Sequence, residues 1–156
     1  MIRVISIDEA FDAPNFKELC DEYRAEVINN PDFNGIPPDR ETYKRGVEAG
    51  RIVPLGAFLD GELVGFCALT ISDLQHFTDR KIAVTETIFV AKAHRSSGIG
   101  LKLLQAAERM AAECGARGLY VSCPVGGALE ALLPRLGYRE MTKDFYRNVE
   151  EEQWAA

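Results

Sequence analysis

Apolar and polar side chains alternate over residues 3–7, the two-residue period of a half-buried strand. Asp12 ahead of Pro14 predicts a helix start, and Phe16, Leu19, Tyr23 and Val27 then recur at the steps that lay one apolar stripe along a helix. The turn-forming run PDFNGIPPD ends that element, and residues 40–49 predict a second, short helix closed by Gly50, the two helices forming a flap. Residues 52–59 and 63–71 are apolar runs joined through Asp60 and Gly61, a pair that tolerates positive φ and predicts a tight antiparallel hairpin. After a polar connection over 73–81, the β-branched content of residues 82–91 predicts a third strand of the same meander. The period changes at Ile99, where Gly100, Leu103, Leu104, Ala107, Met110, Ala111 and Cys114 mark the buried face of a helix of about four turns. Residues 119–123 read as a short strand, 129–136 as a short helix, and 138–149 as one long strand or a hairpin.

This order joins an antiparallel meander to a strand–helix–strand crossover, so the expected class is α/β in the α+β sense, a mixed sheet with helices on both faces. At 156 residues and 47% hydrophobic content the chain suits one core. A single domain over 1–149, followed by an acidic tail at 150–156, is the expected organisation. No apolar run approaches the ~20 residues of a membrane helix, and the start has no secretory pattern, which gives the expectation of a cytoplasmic protein without a membrane partner.

The charge changes the picture modestly. Eighteen basic against 24 acidic side chains leave a net −6, which disfavours nucleic acid and suits a cationic small molecule or basic peptide. Cys20, Cys67, Cys114 and Cys123 lie apart, without a CxxC pair or a histidine at ligand spacing, and are expected as reduced thiols with no metal site. Cys123 ends a predicted strand, yet no histidine stands near it in sequence to activate it. His76 and His94 read as loop histidines without catalytic duty.

The chemistry concentrates in TETIFVAKAHRSSGIGLKLL, residues 85–104, where a strand runs through Arg95, Ser96, Ser97, Gly98, Ile99 and Gly100 into the long helix. A helix start leaves backbone N–H groups unpaired, and glycines let an anion approach without meeting a Cβ atom. Arg95 adds a cation at the rim. A nucleotide P-loop is excluded because Lys102 is followed by leucine where serine or threonine would hold magnesium, and a dinucleotide site requires three glycines early in the chain.

Val90, Arg95, Gly98 and Gly100 reproduce in register the strand-valine, R-x-x-G-x-G, helix pattern of the GNAT superfamily of N-acetyltransferases, which this chain resembles over nearly its whole length. ALEALLPRLGY, residues 128–138, looks like that family's later helix with its leucine-glycine-aromatic turn. The resemblance implies a mostly antiparallel sheet splayed between its fourth and fifth strands. It implies that the groups from Arg95 to Leu101 bind the pyrophosphate of acetyl-coenzyme A, and that Ile88, Phe89 and Val90 pair with the pantetheine arm. A backbone N–H near Val90 would polarise the thioester carbonyl.

The activity so implied is acetyl transfer from acetyl-coenzyme A to a primary amine of a small molecule or peptide, by direct attack in a ternary complex. Homodimers are common in the family. An ammonium must lose a proton before it attacks, and Glu86 is the candidate base, a solvated strand glutamate being the other reading. Simple alternation puts Glu86 on one face with Ile88 and Val90. The flap offers Tyr23, Phe33 and Tyr43 as aromatic acceptor surface, with Glu22, Asp32 and Glu41 to receive a cation. Two departures bear on catalysis: Leu133 stands where many members carry a proton-donating tyrosine, and Gly126 where an asparagine is common. Tyr120, Tyr138 and Tyr146 are other sources of a proton. These departures motivate the alternative of a non-catalytic acyl-coenzyme A sensor or assembly subunit.

Overall fold

The computed structural model describes residues 1–150, so all but the first residue of the acidic tail expected at 150–156 lies outside the described residues. One five-stranded sheet has the order β1 (Ile2–Val4), β2 (Ile52–Leu59), β3 (Glu62–Asp73), β4 (Lys81–Val90), β5 (Ala116–Val121). The first four strands pair antiparallel, and β4 pairs parallel to β5. Asp60 and Gly61 both take positive φ, at 50° and 86°, and turn β2 into β3 as their residue types predict.

Three helices cross one face: α1 (Ile7–Phe11), α2 (Phe16–Val27) and α3 (Arg40–Glu48). Ile7 thus opens a helix instead of ending a strand, because the Ser6 hydroxyl accepts the Glu9 N–H and caps α1. Asp12 closes that helix, and α2 starts only after Asn15. The opposite face carries α4 (Ile99–Glu113), which connects β4 to β5. Leu103 and Ala107 of α4 are fully buried against Leu55, Leu69 and Ala83 of the sheet. Each leucine buried in this way contributes about 1.5–3 kcal/mol, so this layer is the main source of cohesion. On the flap face, Leu19 packs with Leu63, Phe89 and Ala91, and Tyr23 and Phe66 lie against them.

Three further features depart from the sequence reading. The register slips between Ala68 and Leu69, which pair with Thr87 and Thr85, so Glu86 is the extra residue of a β-bulge. Residues 138–149 form neither the long strand nor the hairpin expected of them. Met141, Phe145 and Val149 would share one strand face, but Lys143 and Arg147 stand between them on it, and Phe145 is 94% exposed. The segment is tethered by Tyr138 Oη donating to Glu108 and Tyr146 Oη donating to Asp32, each at 2.7 Å. α5 (Ala128–Leu132) and a 3₁₀ turn (Leu133–Leu136) precede it, where one helix was expected.

Gly65 lies opposite Val90, where a Cβ would come within 2.7 Å of the Phe89 carbonyl oxygen. Gly65→Ala is therefore expected to cost about 1–3 kcal/mol by overpacking. Urea unfolding should show a lower midpoint with an unchanged slope.

Candidate active site

The site is built where β4 loses a neighbour. Pairing with β5 ends at Thr85 and Val121, and the Thr85 hydroxyl, on a side chain almost wholly buried, accepts the Ser122 N–H at 3.1 Å just beyond. From Glu86 onward β4 keeps β3 on one side and has no strand on the other. Ala91 N–H donates to Val64 O at 2.9 Å, so the alternation of an antiparallel ladder turns the backbone groups of Val90 and Ile88 away from β3. Those of Phe89 face β3. Arg95 Nε takes the Val90 carbonyl at 2.9 Å, which leaves the Val90 N–H and both Ile88 groups as the exposed edge.

That edge leads into a 3₁₀ turn over Lys92–Ser97 and then to Gly98, whose φ of 75° forms the entry to α4. Nothing lies within 4 Å of where a Gly98 Cβ would stand, and Gly100 would meet only a Val90 methyl at 3.9 Å. Ser96, Ser97, Gly98 and Leu101 are exposed, whereas the Ile99 side chain is buried in the α4 core and only its amide can serve a ligand. The start of α4 thus borders open space beside the exposed β4 edge, and the first N–H groups of a helix have no intrahelical partner.

Arg95 does more than line this rim. Its guanidinium makes two parallel hydrogen bonds to the Glu26 carboxylate, at 2.7 and 2.8 Å, and lies over the Phe89 ring. Glu22, one helical turn before Glu26, accepts the Lys92 N–H at 2.7 Å. Two carboxylates on one face of α2 therefore clamp the turn, and neither was singled out from sequence for that task. The signal was the four-residue spacing of Glu22 and Glu26, but its partner lay about 70 residues away.

On the flap face the bulge turns both Glu86 and Thr87 toward α2 and α3, while Ile88 and Val90 point to α4. This corrects the expectation of a shared face and places Glu86 on the wall of a pocket of about 240 Å³ between flap and sheet. Both Glu86 oxygens accept the Tyr43 hydroxyl, at 2.9 and 2.8 Å. Burial and the adjacent carboxylate hold the Tyr43 phenol protonated well above the ordinary tyrosine range. Tyr23 also lines the pocket, its phenol raised by burial, whereas Phe33 packs edge-on against Tyr146 and is not among the lining residues.

Of the other candidates, Leu133 is buried, and Tyr138 is bonded to Glu108 with its phenol raised by burial. Burial pushes the Cys67 thiol up to about 12 and Cys20 up to about 11, and it also raises Cys123, opposite to what an activated thiolate requires. Among the described residues no group of side chains is arranged to hold a metal, and no helix is long and apolar enough to cross a membrane.

Residues 15–138 match the acetyltransferase (GNAT) family. The chain belongs to this family. Acetyl transfer is accordingly its general activity, with acetyl-coenzyme A the donor the family generally uses. No curated protein sequence matches it. Among solved structures, an aminoglycoside acetyltransferase from an uncultured soil metagenomic sample superposes with a TM-score of 0.76 at 24% identity, covering 96% of this chain and 97% of that one. Another metagenomic aminoglycoside acetyltransferase, in complex with sisomicin, gives 0.73 at 20% identity, covering 96% of each chain. A ribosomal-protein-alanine N-acetyltransferase from Brucella melitensis biovar Abortus 2308 gives 0.71 at 20% identity, covering 95% and 97%. At these identities the likeness is one of GNAT fold.

The α2 clamp of this GNAT domain carries a pH signature. Arg95 holds Glu26 below its ordinary 4.5, so the stabilisation is complete above that unfolded value and is lost as pH falls through the lower native one. Glu26 and Arg95 are 46% and 38% exposed, so solvent screening limits the pair to under about 1 kcal/mol. Urea unfolding of Glu26→Gln should show a deficit of that size at pH 7 that vanishes toward pH 3.

Proposed function

We infer that this chain transfers the acetyl group of acetyl-coenzyme A to a primary amine of a small molecule or peptide, by direct attack within a ternary complex. The observation that carries the reading is the unpaired β4 edge running straight into the open glycine turn of α4. Amides of Gly98, Ile99, Gly100 and Leu101 hold the pyrophosphate, with the Ser96 and Ser97 groups beside them. Arg95 positions that turn through Glu26 and spends its guanidinium there. The exposed groups of Ile88 and Val90 pair with the pantetheine amides, and the Val90 N–H stabilises the oxyanion that develops at the thioester carbonyl.

The acceptor enters the pocket between flap and sheet. Glu86, oriented by Tyr43, takes a proton from the ammonium directly or through one water, and the neutral nitrogen then attacks the carbonyl carbon. The carbon–sulfur bond breaks as the oxyanion collapses, and the excess proton left on the attacking nitrogen passes to water or to the departing thiolate. Buried Leu133 supplies no proton, and a thiol of pKa about 8.5 can depart as thiolate without one. The superposed proteins are described as acting on aminoglycosides and on a ribosomal-protein alanine, acceptors that share an amine, which supports the class of acceptor but not its identity.

Two measurements test this. Acetyl-coenzyme A should bind with micromolar or tighter Kd, and Gly98→Asp should abolish binding while Gly98→Asn retains more of it. Both residues tolerate positive φ and differ in charge, so calorimetry giving Gly98→Asp the wild-type affinity would refute the cradle. Glu86→Gln should lower kcat by about 10²–10⁴-fold with donor affinity unchanged. The sensor alternative, favoured by Leu133 and Gly126, requires donor binding with no thiol released from a broad amine panel.

A further inference from the structure

We propose that the pocket between flap and sheet selects a primary amine bearing one positive charge on an apolar, ring-sized body, and discriminates against polycationic acceptors. This rests on the reading of that pocket as the acceptor site. Among its lining residues only Glu86 and Arg24 have carboxylate or guanidinium side chains, and these are of opposite sign. Most of the remaining wall is hydrocarbon and aromatic, with Ala10, Phe16, Ile36 and Phe66 representative.

None of the carboxylates of α2 and α3 lines this pocket, and most of them are engaged elsewhere. Glu22 takes the Lys92 N–H, Glu26 holds Arg95, and Asp32 accepts from Tyr146. Asp21 is shared by Lys17 and Arg24, and Glu41 lies 3.8 Å from Lys44. A second ammonium would therefore meet the Arg24 guanidinium or an apolar wall, losing hydration without a counter-charge. The rings do not provide separate cation sites, since Phe66 is packed against Phe16, Tyr23 and Phe89 at centroid distances of 6.4, 5.7 and 5.9 Å. Size points the same way: an apolar cavity of about 150 Å³ accepts benzene. The 240 Å³ here accommodates a ring and a short amine-bearing arm, in a pocket that is open to solvent on one side.

Hexylamine and hexane-1,6-diamine differ only at the far end and isolate the effect of the second charge. With saturating acetyl-coenzyme A, kcat/KM is expected to be at least tenfold higher for hexylamine than for the diamine, with 2-phenylethylamine also above the diamine and sisomicin below both monoamines. Ile36 is 59% exposed, so Ile36→Glu can add a second carboxylate to the wall without disturbing the core, and it should narrow the monoamine preference at least threefold. Calorimetric titration of the same amines gives a reading independent of turnover, with hexylamine again tighter than the diamine. Equal or better use of the diamine or of sisomicin, or binding of no amine by a protein that binds acetyl-coenzyme A, overturns this proposal and leaves the donor site intact. Failure to bind acetyl-coenzyme A instead strikes the functional reading beneath it.

Discussion

The organisation of this molecule depends on β4 having a full partner on one side and half a partner on the other. Parallel pairing with β5 stops at Thr85, whose buried hydroxyl takes the Ser122 N–H and so ends the ladder without an orphaned donor. On the opposite side the ladder with β3 continues, but only by inserting Glu86 as an unpaired residue. The same few positions thus open the edge that leads to the glycine turn of α4 and swing a carboxylate onto the flap face. A strand paired continuously on both sides would have neither the exposed amides nor the reoriented glutamate.

An edge with open backbone groups is costly unless something fixes it, and here the fixing comes from the flap. Glu22 and Glu26 reach from α2 to the Lys92 amide and the Arg95 guanidinium, while Phe89 supplies the surface under that guanidinium. A consequence is that Arg95 offers little free charge to an anion at this turn, since it is already neutralised by its carboxylate partner. The geometry of the turn and the placement of the flap are therefore one problem. What tilts α2 also moves the amides at the start of α4.

Much of this was legible in the chain. The Asp60–Gly61 hairpin, the long amphipathic α4 and the glycine-bearing turn at its start are local features, in which residue type and conformation are linked within a few positions. The bulge was not legible, because two-against-one pairing is decided by the partner strand; Thr85, Glu86 and Thr87 look like uninterrupted alternation. For the same reason Glu86 seemed to belong with Ile88 and Val90. The α2 clamp was hidden by distance along the chain. Residues 138–149 misled in the opposite direction, since a strand there would set Lys143 and Arg147 among Met141, Phe145 and Val149 on its apolar face.

The net charge of −6 and the character of the pocket point to different scales of recognition. A diffuse negative field attracts cations of any valence, and the more strongly the more charges they carry. Within the pocket the balance changes, because water is displaced and each additional ammonium requires a partner that the wall does not supply. Glu86 is one such partner, already held by Tyr43, and Arg24 opposes a second. If the pocket is the acceptor site as proposed, long-range attraction governs how fast an amine arrives, whereas the apolar wall and a single oriented carboxylate govern which amine stays long enough to react. On the proposed reading of this pocket as the acceptor site, acceptor choice follows from the few side chains the bulge and the flap bring together and not from the overall charge of the chain.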